Sequence, residues 1–105
     1  MNNKNTKIPT VKELRQTGHK VRIQRFRPYV VGPMPIFLDD NNARINGLDK
    51  QDVYQNGGIT VVSVRKPTGE EVTGISECSL DDPFVKRTGV EIGIARALEL
   101  PIPAY

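Results

Sequence analysis

The side chains best suited to chemistry in this sequence are the positive charges of one short stretch, KVRIQRFR, at residues 20–27. Lys20 and Arg22 alternate with Val21 and Ile23, which is the pattern of a β-strand with one charged and one apolar face. Cations at every second residue of a strand stand about 7 Å apart, a spacing that can follow the phosphates of a nucleic acid. The pattern therefore predicts a strand that binds a polyanion.

Phe26 interrupts this alternation, because an apolar residue stands where the pattern requires a polar one. We therefore expect a bulge or a strand end near Arg25. Across this irregularity, Arg25 or Arg27 would continue the row of charges that Lys20 and Arg22 begin. Phe26 and Tyr29 add aromatic rings on which bases can stack. The residues predicted to bind a nucleic acid or a nucleotide-like polyanion are Lys12, Arg15, Lys20, Arg22, Arg25, Arg27, Phe26 and Tyr29.

The charge of the whole chain supports this interpretation, since it is unevenly distributed. The 105 residues carry a formal net charge of +3. Residues 1–27 contain eight basic side chains and one acidic one, whereas residues 28–105 contain seven basic and eleven acidic ones. A basic segment of this kind favours binding to a polyanion. The opposing interpretation is an ordinary solvated strand face, which Glu70, Glu71 and Glu77 neutralise in part.

The other reactive side chains have simpler explanations. Asp81 and Asp82 stand where a helix is predicted to begin, and carboxylates there are usually caps. His19 lies alone beside a glycine turn, and Cys78 has no neighbouring base, so we expect this cysteine to be a small buried residue. The sequence therefore predicts a protein that is not an enzyme and that holds neither a metal nor a cofactor.

Arg96 lies within an otherwise apolar stretch, where its charge needs a partner. We expect it to extend to solvent or to pair with Glu99 or Asp81. The alternative is a secondary anion contact, in which its guanidinium meets a phosphate or a carboxylate of a binding partner.

The elements that must position these residues include one stretch long enough for a full helix, near the C-terminus. We predict this helix between Ser79 and Leu100, with Ser79 or, alternatively, Asp82 as its N-cap and Pro101 ending it. Gly89, Gly93 and Ala97 form a stripe of small residues spaced four apart. Glycine in a helix costs about 1 kcal/mol relative to alanine. Close approach of another backbone is the usual feature that offsets this cost, and we expect it here. The stripe lies either on the chain's own sheet or at an oligomer interface with a second copy.

The remaining elements are a short helix and several strands. Thr10 and Glu13 form a capping box for a helix at residues 11–17, which Gly18 ends. Residues 20–27 form a strand, and the proline-rich residues 28–38 cover one edge of the sheet. Residues 59–78 form a hairpin around KPTGE, in which pairing Lys66 with Glu70 sets Val64 opposite Val72.

The predicted fold is a single α+β domain over residues 1–105. A small antiparallel sheet of three or four strands carries the short N-terminal helix and the longer C-terminal helix on one face. Residues 1–7 are expected to be frayed, and residues 39–58 to form a mobile loop. With 37% apolar residues the core is thin, so a homodimer would add stability.

A resemblance to small uncharacterised proteins of bacteriophages and other mobile elements lies in the run Cys78-Ser79-x-x-Asp82-x-Phe84-x-Lys86-x-x-Gly89-x-x-Ile92-x-x-x-Arg96-Ala97-Leu98. In those proteins a hairpin ending in Cys-Ser leads into a similar helix, and residues 11–27 look like their N-terminal part. The resemblance implies a phage or mobile-element origin and carries over no activity and no site.

Two functions follow from these observations. The first is binding of a nucleic acid or nucleotide through the basic N-terminal third. The second is binding of a host protein, as an inhibitor or accessory factor that acts on a host enzyme or a defence component. Residues 1–20 show no apolar signal segment, no stretch can cross a bilayer, and a single cysteine suits a reducing compartment, so we expect the host cytoplasm.

Overall fold

The computed structural model of the protein describes residues 7–102. Its strands are β1 (Lys20–Val30), β2 (Pro35–Leu38), β3 (Asn56–Arg65) and β4 (Glu71–Pro83). Its helices are α1 (Val11–Gln16), α2 (Asp40–Ile45) and α3 (Lys86–Ala97), with a 3-10 turn at Lys50–Asp52. Within this part of the chain the strands form one antiparallel sheet in the order β2-β1-β3-β4. The predicted α+β fold is therefore confirmed.

The helix α1 forms where its capping signals predict. The Thr10 hydroxyl accepts a hydrogen bond from the backbone N–H of Glu13 at 3.1 Å, and the Glu13 carboxylate accepts one from the Thr10 N–H at 2.9 Å. Gly18 follows the helix with a φ of +89°, a left-handed conformation that glycine adopts readily. Ile8 and Leu14 are buried, so a helix of two turns is held by contacts with the core.

The hairpin of β3 and β4 has the predicted register. The Lys66 N–H donates to the Glu70 carbonyl at 2.8 Å, and Val64 lies opposite Val72. This register turns Val62 and Val64 towards α3, where both are fully buried. The core lies between α3, α1 and this face of the sheet, and consists of Ile8, Leu14, Val21, Val62, Val64, Ile94, Ala95 and Ala97.

The stripe of small residues on α3 lies on the chain's own sheet. A Cβ atom at Gly89 would stand 2.5 Å from the Thr60 hydroxyl oxygen, and one at Gly93 would stand 2.5 Å from a methyl group of Val62. Ala97 is buried as well. Contacts within the chain already cover Gly89, Gly93 and Ala97. The alternative prediction of an oligomer interface at these residues is therefore wrong.

The helix α3 begins later than predicted. Its N-cap is Val85, whereas Ser79 and Asp82 both belong to β4. Cys78 pairs with Gly58 and Pro83 pairs with Asn56, so residues 79–82 form a bulge between these two pairs. The Ser79 hydroxyl accepts a hydrogen bond from the Asp81 N–H at 3.1 Å, which makes a local turn where the sequence predicts a helix cap.

Contacts with β3 hold this bulge in place. A Cβ atom at Gly57 would stand 2.8 Å from the Leu80 side chain, and one at Gly58 would stand 2.5 Å from the Phe84 ring. The two glycines thus let Leu80 and Phe84 lie on the backbone of β3. This packing between distant residues overrides the local preference of residues 79–84 for a helix start.

Residues 39–58, which the sequence predicts as a mobile loop, contain regular structure. Asp39 caps α2 by accepting from the Asn42 N–H at 2.8 Å, and Ala43 anchors this helix with only 2% of its surface exposed. The Tyr54 N–H donates to the Pro28 carbonyl at 2.8 Å, which fastens the segment to β1. Its mobility stays a prediction.

Candidate nucleic-acid interface

The register of β1 divides the predicted row of charges between two faces. β1 pairs with β3 from Lys20 to Phe26 without a shift, so the bulge expected near Arg25 is absent from this described strand. Phe26 keeps its place because Ile59 lies opposite it on the same face and gives it an apolar neighbour. Since successive side chains of a strand point to opposite faces, Lys20 and Arg22 lie on one face and Arg25 and Arg27 on the other.

The face that turns away from α3, here called the uncovered face, carries a cluster of cations. Lys20 is paired with Arg65 and Arg22 with Ser63, and all three basic side chains are exposed. A shallow depression of about 370 Å³ lies among these residues and Glu71. Arg65 was missed as a site residue, because its place beside Lys20 follows only from the pairing of β1 with β3.

These cations remain available to a ligand. Like charges directly opposite one another on neighbouring strands are destabilising, and Lys20 and Arg65 are such a pair. Among residues 7–102 the ion pairs are Lys7–Glu13 and Lys66–Glu70, and neither includes a cation of this cluster. Glu71 stands opposite Arg65 without forming an ion pair in the described part of the chain.

An apolar strip continues the uncovered face beyond the cations. Phe26 lies opposite Ile59, and Val61 lies opposite Ile75 in the next pair of strands. Ile75 is 47% exposed, although it is a large aliphatic residue in the middle of a strand. The face thus has three positive charges at one end, with Glu71 opposite Arg65. Towards the other end it has one aromatic and several aliphatic side chains, with Glu77 opposite Ile59.

The remaining candidates of β1 lie on the side of the sheet that carries α3. Arg27 is held by the backbone: Nε donates to the Gly57 carbonyl at 3.1 Å, and Nη2 donates to the carbonyls of Tyr54 and Gln55. Its guanidinium stands 4.2 Å from the centre of the Phe84 ring. Tyr29 is buried, and this burial, with the nearby Asp40 carboxylate, raises the pKa of its hydroxyl. Neither Arg27 nor Tyr29 can therefore join a row with Lys20 and Arg22.

The predicted basic residues of the helices have separate positions. Lys12 is exposed on α1, and Arg15 ties this helix to β1 by donating from Nη2 to the Val21 carbonyl at 3.0 Å. Arg96 donates from Nη1 to the Ile75 carbonyl at 2.6 Å. The pairing of Arg96 with Glu99 or Asp81 is therefore wrong, because a backbone carbonyl of β4 takes that role.

Two further reactive side chains, His19 and Cys78, have local polar contacts. The His19 ring nitrogen Nδ1 lies 3.0 Å from the Thr17 hydroxyl, and the half-buried Cys78 thiol lies 3.5 Å from the carbonyl oxygens of Asp82 and Pro83. Across residues 7–102 there is no cluster of three or more His, Cys, Asp or Glu side chains that could hold a metal ion. In the same range no helix has the length and apolar character needed to traverse a bilayer.

Comparison of the chain with protein-family models, with curated proteins and with solved structures found no match. Function therefore has to be inferred from the side chains themselves. On the uncovered face these are exposed cations next to an aromatic ring and an aliphatic strip. Such an arrangement can hold a phosphate backbone beside stacked bases.

Proposed function

We propose that the protein binds single-stranded nucleic acid on the uncovered face of its sheet. The observation that carries this proposal is the cluster of Lys20, Arg22 and Arg65, which is exposed and takes no part in the ion pairs of residues 7–102. The proposal retains the sequence-based expectations of a non-enzymatic protein of phage or mobile-element origin that acts in the host cytoplasm.

The geometry favours a single strand over a duplex. Lys20 and Arg22 stand about 7 Å apart along β1, and β3 brings Arg65 beside them at a strand spacing of about 5 Å. A nucleic-acid strand that follows β1 from this cluster would reach the ring of Phe26 and the aliphatic side chain of Ile59. A flat face of this kind can stack only on bases that are unpaired, since the bases of a duplex are already stacked on one another.

A second candidate function is binding of a host protein through the same face. It is favoured by the exposed apolar side chains of Ile75 and Phe37, which are 47% and 38% exposed. Apolar contacts depend little on salt, whereas contacts with phosphates depend on it strongly. The salt dependence of binding therefore separates the two candidates.

The decisive experiment is a titration of a fluorescein-labelled single-stranded oligonucleotide, followed by anisotropy at several salt concentrations. Three phosphate contacts predict a slope of log K against log salt of about −2, and Arg22→Gln or Arg65→Gln should each reduce its magnitude by about 0.7. Arg87→Gln is the matched control, because Arg87 is an exposed arginine of α3 on the other side of the sheet. The proposal would be refuted if the protein did not bind the oligonucleotide at low salt, or if Arg87→Gln reduced the salt slope as much as Arg22→Gln and Arg65→Gln do.

A further inference from the structure

A second concave site lies on the opposite side of the sheet, between α2 and the residues that lead into α3. Its volume is about 420 Å³, which is within the range of pockets for small molecules. The charged side chains that line it are Arg25, Arg27, Lys50, Lys86, Asp39 and Asp40. Four positive charges thus face two negative ones, and the pocket favours a ligand with about two negative charges.

Arg25 is the side chain in this pocket that most needs a ligand. Its Nε atom is buried and has no hydrogen-bond partner among the described residues. No carboxylate in residues 7–102 lies within ion-pair distance of its guanidinium. The guanidinium of Arg25 thus lines the pocket with a charge that no carboxylate of residues 7–102 pairs, and an anion bound in the pocket would neutralise it.

Arg27 is fixed at the wall of the same pocket. Its Nε and Nη2 atoms are held by the carbonyls of residues 54–57, and its guanidinium packs on Phe84. Within the described chain, Nη1 makes no hydrogen bond. Because carbonyl contacts leave its charge unneutralised, Arg27 offers a positioned cation whose side-chain entropy is already lost before a ligand binds.

Both carboxylates lie at or near α2 together with one cation, Lys50, whereas Arg25 and Lys86 lie towards α3. Arg25 and Lys86 also line a neighbouring cavity beside α3, whereas Asp40 and Lys50 also line one beside α2. Hydrogen bonds from the backbone N–H of Asn42 and from the Gln24 side chain lower the pKa of Asp39, so its carboxylate is ionised at neutral pH. The end near α2 is therefore suited to accept hydrogen bonds from ligand hydroxyl groups.

We propose that this pocket binds a small phosphorylated molecule with hydroxyl groups, of the sugar-phosphate class. Arg25, Arg27 and Lys86 would hold the phosphate, while Asp39 and Asp40 would accept hydrogen bonds from the hydroxyl groups. The two sites lie on opposite faces of the sheet, and the carboxylates of Asp39 and Asp40 line the same concavity as the cations, where they favour a hydroxylated ligand. The site is thus additional to the one proposed for nucleic acid.

Isothermal titration calorimetry with ribose 5-phosphate, inorganic phosphate, ribose and adenosine monophosphate tests this site. Ribose 5-phosphate should bind, inorganic phosphate about tenfold more weakly, and ribose not measurably. Binding of adenosine monophosphate at least as tight as that of ribose 5-phosphate would support the proposal and identify a nucleotide as the source of the phosphate. Binding of inorganic phosphate as tight as that of ribose 5-phosphate would overturn it.

Variants make the two sites separable. Arg25→Gln should weaken binding of ribose 5-phosphate about tenfold and leave oligonucleotide binding unchanged. Lys86→Gln alters an exposed side chain that forms no ion pair in residues 7–102, and it should weaken binding of ribose 5-phosphate as well. Arg22→Gln on the opposite face should leave ribose 5-phosphate binding unchanged. Ribose 5-phosphate affinity equal to that of the parent in both pocket variants, or no binding by the intact protein, would refute the pocket proposal without bearing on the nucleic-acid site.

Discussion

Gly74 of β4 lies directly against Gly93 of α3, so close that a Cβ atom at Gly74 would overlap the Gly93 carbonyl oxygen. The same Cβ atom would stand 2.5 Å from the Ala97 nitrogen. The helix and the sheet therefore meet backbone to backbone. This contact explains why α3 contains glycines, which cost about 1 kcal/mol each relative to alanine in a helix.

Replacing Gly74 with alanine should destabilise the protein. In a strand without such a contact this change is mildly favourable, since alanine has less freedom to lose on folding. Here the added methyl group meets helix backbone that cannot move aside, and we expect the free energy of unfolding to fall by about 3 kcal/mol. Urea denaturation measures the effect. Thr73→Ala, at the neighbouring exposed position, should cost at most about 1 kcal/mol, the span of strand propensities. Equal losses in the two variants would contradict the contact.

Phe26 provides a test of base stacking that is independent of charge. Phe26→Leu keeps an apolar side chain beside Ile59 but removes the ring, so the affinity for a single-stranded oligonucleotide should fall by about 1–2 kcal/mol. The slope of affinity against salt should not change, because no phosphate contact is lost. Tyr54→Leu removes an exposed ring from the segment that leads into β3 and serves as the control. Unaltered affinity in Phe26→Leu would exclude stacking at this position.

Thr60 is a fully buried residue beneath Gly89, and its hydroxyl has no hydrogen-bond partner among the described residues. Thr60→Val replaces this hydroxyl with a methyl group and should raise the free energy of unfolding by about 1 kcal/mol. Thermal or urea denaturation measures the gain. The exposed Thr73→Val on β4 should show little change. A loss of stability in Thr60→Val would contradict this expectation and would mean that crowding of the new methyl group against Gly89, or a hydrogen bond of the hydroxyl in solution, outweighs the gain.

Glu13 makes the stability of α1 depend on pH. The hydrogen bond from the Thr10 backbone N–H and the nearby Lys7 lower the pKa of Glu13 below its ordinary value of 4.5. The stabilisation is therefore complete above about pH 4.5 and is lost as the pH falls through the lower pKa of the folded state. Urea denaturation should show Glu13→Gln to be less stable than the parent at pH 7 and equally stable in strong acid. A difference that persists in acid would exclude ionisation of Glu13 as its cause.

Much of the fold could be predicted because its signals are local. The capping box of Thr10 and Glu13 lies within four residues, and the register of β3 and β4 follows from the loop between Lys66 and Glu70. In both cases the interacting groups are close in the sequence, so the chain's geometry leaves few alternatives. The antiparallel sheet and the position of α3 on one face then follow from the order of the elements.

The errors arose where distant residues decide the outcome. Ser79 and Asp82 resemble helix caps, but Leu80 and Phe84 pack on the backbone of β3 at Gly57 and Gly58, which keeps this segment in β4. Phe26 suggests a bulge until Ile59 is known to lie opposite it. For the same reason, Arg65 belongs to the candidate site although no short sequence pattern joins it to Lys20.

The contact between Arg96 and the Ile75 carbonyl also bears on the behaviour of this protein at high concentration. Unpaired outer strands readily recruit strands of other molecules into fibrils. Here the Arg96 guanidinium covers the Ile75 carbonyl, which points outward from the middle of the edge strand β4. The other edge strand, β2, has only four residues and begins with Pro35. Charge, proline and short length all oppose strand addition, so both margins favour a chain that stays dispersed in spite of its exposed aliphatic strip.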